Sequence, residues 1–318
     1  MKEIKNDNKK KKLSKRRKKE LIFVIVLLAY PVLQFLLTWI FVNSYSIILA
    51  FQKITLEGDV SFNKFNNFLD IFKKIFNPDY GSVTLKSGVR IPHTLMIILN
   101  SLGYGLVSIF ISLPLALISS YFLAKKMPFA NVFRVIFFLP NIISIVALVY
   151  AFRMQFQENI GLIDHFLTSL GITIDKTIWP NTTLLVYVYC IWAGIGYNVL
   201  LLSGAIGRVP KELFESAQMD GAGNFKQFTK IMIPMVWPTV VTMIILGMTS
   251  ILTLYLQPVL FQYEATETIA GYIFNGVSVG AHEYPTLSAF GLLFSFIFAP
   301  LILYIRKVIS RKYSDTDC

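Results

Sequence analysis

The sequence predicts an all-α, polytopic integral membrane protein with six transmembrane helices and both termini in the cytoplasm. Three observations predict it. Charge is scarce, it is missing from six long stretches, and the basic residues that remain are shared unevenly between alternate loops. Of 318 residues, 15% are Asp, Glu, Lys or Arg and 55% are hydrophobic, with a mean hydropathy of +0.60, whereas soluble domains carry roughly 25% charge. The same composition excludes a disordered, collagen-like or disulfide-stapled chain. The two cysteines, Cys190 inside an apolar run and Cys318 at the last position, cannot make a disulfide framework.

The stretches without Asp, Glu, Lys or Arg are 21–52, 91–124, 135–152, 177–207, 231–263 and 284–305. A helix rises 1.5 Å per residue, so about 20 apolar residues cross the hydrocarbon core. Each stretch can hold one span, with 135–152 the tightest and its helix expected to start nearer Asn131. Buried helices of soluble proteins seldom run so long without charge, and six in one chain fit a membrane. The first span, 21–43, has the charged start and apolar middle of a signal peptide. It is too long for one, contains Pro31, and leads into Asn43-Ser44-Tyr45 in place of small residues, so it reads as a retained helix.

Orientation follows from Lys and Arg. The segments 1–20, 125–134, 208–230 and 306–312 together hold 22 of them, against 8 in 53–90, 153–176 and 259–285. The first set is therefore cytoplasmic, including the tail 311–318. The basic run from Lys9 to Lys19 abuts an apolar span, which makes it a topology anchor against an anionic inner leaflet and not a nucleic-acid arm. Outside, the loop 44–92 carries Phe62, Phe65, Phe68, Leu69, Phe72, Ile75 and Phe76 at helical spacing. An amphipathic helix lying in the outer interface is expected there. The sequon Asn181-Thr182-Thr183 is a common chance triplet and carries no weight.

The segment 208–235, between spans four and five, holds the most specific information. Pro210 suits the first turn of a helix, Leu213, Phe214 and Ala217 form a small apolar face, and Glu212 and Glu215 sit near its positive end. Gly221 and Gly223 end that helix. Asn224 is placed to cap a second one bearing Phe225, Phe228 and Ile231, with Pro234 expected to stop it before span five. A helix this short is marginal alone and must pack on something, its own bundle or a partner's groove.

This stretch resembles the EAA loop of ABC-transporter permeases of the binding-protein-dependent importer type. The family pattern is Glu-Ala-Ala, three residues, Gly, nine residues, then Ile-x-Leu-Pro. Here Glu215, Ser216, Ala217, Gly221, Ile231, Ile233 and Pro234 stand at those spacings, and Asp220-Gly221-Ala222 matches a frequent family triplet. Ser216 for Ala and Ile233 for Leu are departures that leave helix and turn intact. The resemblance covers about residues 91–310, within a core of 93–310. The tail and first span are similar, more weakly, to the carbohydrate-uptake branch.

The resemblance implies that the 210–220 helix is a coupling helix seated in a cleft of a separate ATPase subunit. Glu215 would meet a basic residue there, and Gly221 would allow the turn behind. It implies a second permease, identical or different, two ATPase subunits and an extracellular solute-binding protein. ATP and Mg²⁺ would belong to the ATPases and no cofactor to this chain, which lacks Gly-x4-Gly-Lys-Ser/Thr. His93, His165 and His282 show no metal spacing, and no nucleophile motif is present, so an enzyme is not expected. The spans are almost free of ionisable side chains, which argues against an ion-coupled pump.

A path for a neutral polar solute should be lined by amides, hydroxyls and aromatic faces. The candidates are Asn100 and Tyr104 in span two, Asn141 in span three, Trp192, Tyr197 and Asn198 in span four, and Tyr255 and Gln257 in span five. Interhelical hydrogen bonds and interfacial aromatic belts would account for the same residues one by one. The reading is a permease subunit in the cell membrane that moves a sugar or oligosaccharide. The alternative is a free-standing channel or secondary carrier, for which 208–235 is only a connector.

Overall fold

The computed structural model describes residues 15–84, 90–125, 127–157, 161–171, 183–261 and 266–311. Most of the basic tail, Asn181 and Thr182 of the sequon, and residues 312–318 lie outside them. Among the described residues, five helices are long and apolar enough to cross a membrane. They are α1 (Lys19–Leu49), α3 (His93–Ala124), α7 (Thr183–Ile206), α9 (Asn224–Thr253) and α12 (Ala281–Ser310). They coincide with five of the six charge-free stretches.

The sixth stretch is different. It forms α4 (Ala130–Ile142) and α5 (Ile145–Gln155), bent by 106° at the break. The expected third span is thus a pair of helices with a break between them, starting at Ala130, one residue before Asn131. Pro140 lacks an N–H and crowds the carbonyl one turn back, which weakens the end of α4. Ile143 and Ser144 are extended, and Leu148 N–H takes the Ser144 carbonyl at 2.9 Å to start α5 in a new direction.

Two π-turns, Ser108–Ser112 in α3 and Phe228–Met232 in α9, each end two residues before a proline, Pro114 and Pro234. A widened turn removes the clash between the proline ring and the preceding turn, so the helix continues. Pro234 thus does not stop a separate short helix before span five. Residues 224–253 are one rod, and Asn224 lies inside its first turn, with Gly223 at the cap.

Helix α1 runs to Leu49, past the expected boundary at 43, and none of its apolar stretch is buried by the rest of the chain. The hairpin β1 (Gln52–Ile54) and β2 (Val60–Phe62) follows it. Next comes the expected amphipathic helix α2 (Asn66–Phe76), then β3 (Ser82–Thr84) paired with β4 (Arg90–Pro92). Helix α2 packs on α3 and α12 through Asn67, Ile71 and Ile75. Asn67 donates to the carbonyls of Ala50 (2.8 Å) and Gln52 (2.7 Å). Of the aromatic stripe, only Phe68 and Ile75 turn inward, while Phe62, Phe65, Leu69, Phe72 and Phe76 stay exposed.

Among the described residues the short α-helices also include α6 (Leu162–Ser169), α10 (Leu256–Phe261) and α11 (Ile269–Val277), with α8 (Lys211–Met219) described below. The core has three centres. One joins α3, α7 and α9 through Leu113, Ala116, Leu202, Met232 and Val236. A second joins α2, α3, α9 and α12 around Ile71, Ile97, Ile251 and Phe290. A third joins α5, α7 and α10 around Val149, Tyr189 and Phe261. Gly196 permits a close approach of α7 to α4, since a Cβ there would stand 1.8 Å from the Phe137 carbonyl oxygen.

Candidate functional site

A cavity of about 420 Å³ opens between α3, the α4/α5 bend, α7 and α9. Of the eight path residues expected from the sequence, Asn141, Tyr197, Asn198 and Gln257 line it. Pro140 and the bend bring Asn141 to its wall, where the side-chain amide donates to the Ala193 carbonyl at 3.3 Å. The structure adds Ser108 and Ser112 from the π-turn of α3, Cys190 and Gly194 from α7, and Gly247 and Ser250 from α9. The serines were missed because isolated hydroxyls in apolar runs carry no periodic signal. What Ser108 and Ser112 share, a π-turn before Pro114, is visible only in the fold. Among the described residues, no Asp, Glu, Lys, Arg or His lines this cavity.

Four other candidates do not reach it. Trp192 stacks on Phe152 at 5.7 Å and is 44% exposed on the far side of α7. Tyr255 lies against Phe274 at 5.0 Å. Asn100 is buried and donates to the Glu267 carbonyl at 3.0 Å, which gives it a structural role. Tyr104 is buried edge-on to Tyr187, with ring centres 4.6 Å apart.

The second feature is the loop ahead of α9. Helix α8 follows Pro210, which is its cap and not its first residue. It ends in a Schellman turn: Gly221 N–H bonds to the Gln218 carbonyl (3.0 Å) and Ala222 N–H to the Ala217 carbonyl (2.8 Å). That geometry puts Gly221 at φ +73°, in the left-handed region that favours glycine. Phe214 turns toward the core, whereas Leu213, expected beside it, is 42% exposed. Met219 and Phe225 are exposed as well, so the outer side of the loop is partly apolar. Glu215, Ser216 and Asp220 are exposed and Ala217 is half-buried. Ile231 sits in the π-turn of α9 and Pro234 just beyond it. The seven motif residues therefore fall on two elements joined by the Gly221 turn.

A latch that the sequence did not reveal holds this loop to the end of α3. Gln227 is 1% exposed. Its amide donates to the Ala222 carbonyl at 2.7 Å and accepts from Lys125 Nζ at 2.9 Å. Lys125 also donates to Asn224 Oδ1 and lies 5.0 Å above the Tyr121 ring. Tyr121 Oη donates to the Asn224 carbonyl at 3.0 Å. Asn224, expected as a helix cap, instead uses its side chain in this latch.

Long apolar helices around a largely apolar cavity with a few amide and hydroxyl groups in its wall, with a short helix held across one end, suit a membrane transport component. The chain belongs to the family of binding-protein-dependent transport system inner membrane components, whose model matches residues 98–315. It is 26% identical over 297 residues to the arabinooligosaccharides transport system permease protein AraP of Bacillus subtilis, covering 90% of this chain and 86% of that one. It is 24% identical over 211 residues to the lactose transport system permease protein LacF of Rhizobium radiobacter, covering 65% and 68%. A crystal structure of a bacterial ABC transporter involved in the import of the acidic polysaccharide alginate shares the fold. The TM-score is 0.73 at 19% identity, over 94% of this chain and 98% of that chain.

Proposed function

We propose that this chain is one permease subunit of an ATP-driven importer for a sugar or oligosaccharide. The observation that carries the reading is the cavity: amides, serine hydroxyls and Tyr197 stand in a mainly apolar wall, and among the described residues no charged side chain lines it. Its volume lies within the roughly 300–1,000 Å³ usual for small-molecule sites. Such a lining hydrogen-bonds to neutral hydroxyls and gives an ionised substrate no counter-charge. The names of AraP and LacF point to the same substrate class. Tyr197 lines the cavity yet is 47% exposed, which suits a path completed by a second permease.

In this reading six spans cross the membrane, the α4/α5 pair being one of them, and both termini are cytoplasmic. Helix α8 docks into an ATPase subunit with its exposed Leu213 and Met219 outward and Glu215 at the edge of the contact, and ATP and Mg²⁺ act on that subunit. The outer loops, including α2 with its exposed aromatic stripe, face the interface and the solute-binding protein. The solved alginate importer with a periplasmic protein bound is an assembly of the kind envisaged.

The test is reconstitution of the chain with its partner subunits in vesicles, comparing wild type with Glu215→Lys and Gly221→Pro. ATP-dependent uptake of a labelled oligosaccharide is expected for wild type, with loss in Gly221→Pro and loss of ATPase co-purification in at least one variant. Transport of amino acids or peptides alone would remove the sugar. Solute movement by both variants without any ATPase would replace the importer by a channel or carrier.

A further inference from the structure

A second cavity, of about 570 Å³, lies behind α8 and outside the translocation path. We propose that it binds the phosphate headgroup of an anionic membrane lipid. Lys125, Arg134 and Lys211 line it with one carboxylate, Glu215. Among the described residues none of these four is ion-paired, so two positive charges stand unmatched. Arg134 has only long contacts, 3.4 Å to the Leu123 carbonyl and 3.5 Å to Asn131 Oδ1, which leaves guanidinium N–H groups for an acceptor. Ser203 Oγ is a buried hydroxyl with no hydrogen-bond partner, on the same wall.

Position decides for a lipid over a soluble anion. Lys125 directly follows the last residue of the membrane-length helix α3, and Ile206, the last residue of α7, forms part of the apolar wall. The cavity therefore sits where hydrocarbon gives way to headgroups, and basic pockets between helix ends at the inner face suit anionic headgroups. Its occupant would touch Lys125, which the latch shares, and Glu215 of the motif. This inference rests on the membrane placement of α3 and α7 and not on what the protein transports.

The experiment is native mass spectrometry of the full chain in mild detergent, titrated with phosphatidylglycerol, phosphatidylcholine or inorganic phosphate. Wild type should retain phosphatidylglycerol preferentially, and Arg134→Gln with Lys211→Gln should weaken retention by about tenfold to thirtyfold. Arg134→Lys with Lys211→Arg keeps the charges and should keep the lipid. Lys74→Gln with Arg90→Gln, which removes two charges elsewhere, should leave retention unchanged. Equal retention of the two lipids, or equal retention by wild type and the Gln pair, overturns the site. Displacement of the lipid by millimolar phosphate overturns the lipid assignment in favour of a soluble anion. Because no transport is measured, these outcomes are independent of the substrate.

Discussion

Replacing Gln227 with Met should release the loop from the end of α3 without opening a hole. Met has nearly the volume of Gln, so the buried site stays filled. What is lost is the bond from Lys125 Nζ at 2.9 Å and the bond to the Ala222 carbonyl at 2.7 Å. A charged hydrogen bond contributes about 1.5–3 kcal/mol and a neutral one about 1 kcal/mol, so local opening should become easier by about 3 kcal/mol. That corresponds to about a hundredfold in the opening equilibrium. Amide hydrogen exchange over 208–228 reads it directly, since exchange there reports local opening. The amides of Gly221 to Phe228 should exchange about a hundredfold faster while those of α12 do not change. If the loop exchanges at the wild-type rate, Gln227 is only packed there and the latch is not a stabilising device.

Three further outcomes are expected. Gly196→Ala should lower thermal stability in detergent by about 3 kcal/mol or more through the clash with the Phe137 carbonyl, whereas Gly194→Ala, whose nearest neighbour is Ser112 Oγ at 4.0 Å, should be tolerated. Asn198→Leu should depress solute uptake at least about tenfold with little change in melting temperature, because on the proposed reading it removes an amide offered to the solute while keeping the side chain's size; a drop in stability to match would mark it as structural. Pro234→Ala restores an N–H and relieves the ring clash, so the π-turn should relax and rotate the start of α9 by about 100°. Cross-linking between Lys125→Cys and Asn224→Cys should then fall.

Much of the architecture was legible because it follows from charge and length. Any run of about 20 apolar residues must form a helix to satisfy its backbone in lipid, and five such runs became α1, α3, α7, α9 and α12. The third failed as a single rod because its 18 uncharged residues include Pro140, and hydropathy does not register direction. Gly221 was readable as a helix stop, since its φ of +73° is a local property of the chain. Pro234 was misread for the converse reason. A proline need not stop a membrane helix, as Pro238 inside α9 and Pro300 inside α12 also show, because neighbouring helices and local adjustments of the turn can accommodate it. Gln227 and Lys125 were invisible because their partnership joins residues about a hundred positions apart. Trp192 and Tyr255 were grouped with the path on chemistry alone, and which side of a helix faces a cavity is set by its neighbours.

The two sites are connected by the same two rods. Helix α3 carries Ser108 and Ser112 at the cavity and Tyr121 and Lys125 at the latch; helix α9 carries Asn224 and Gln227 at the latch and Gly247 and Ser250 at the cavity. Along α9, Gln227 and Ser250 are about 35 Å apart. Between them the rods are packed by buried Leu113, Ala116, Met232, Val236 and Val240, which leaves little room for one to slide without the other. A displacement of α8 would therefore reach the cavity as a joint tilt of α3 and α9. The π-turns give each rod one place where its hydrogen-bond ladder is already loosened, at the cavity in α3 and beside the loop in α9. Bending at those points needs no new break in the backbone. The prolines that follow them keep the turns from closing, so the compliance is written into the sequence even though its location is not.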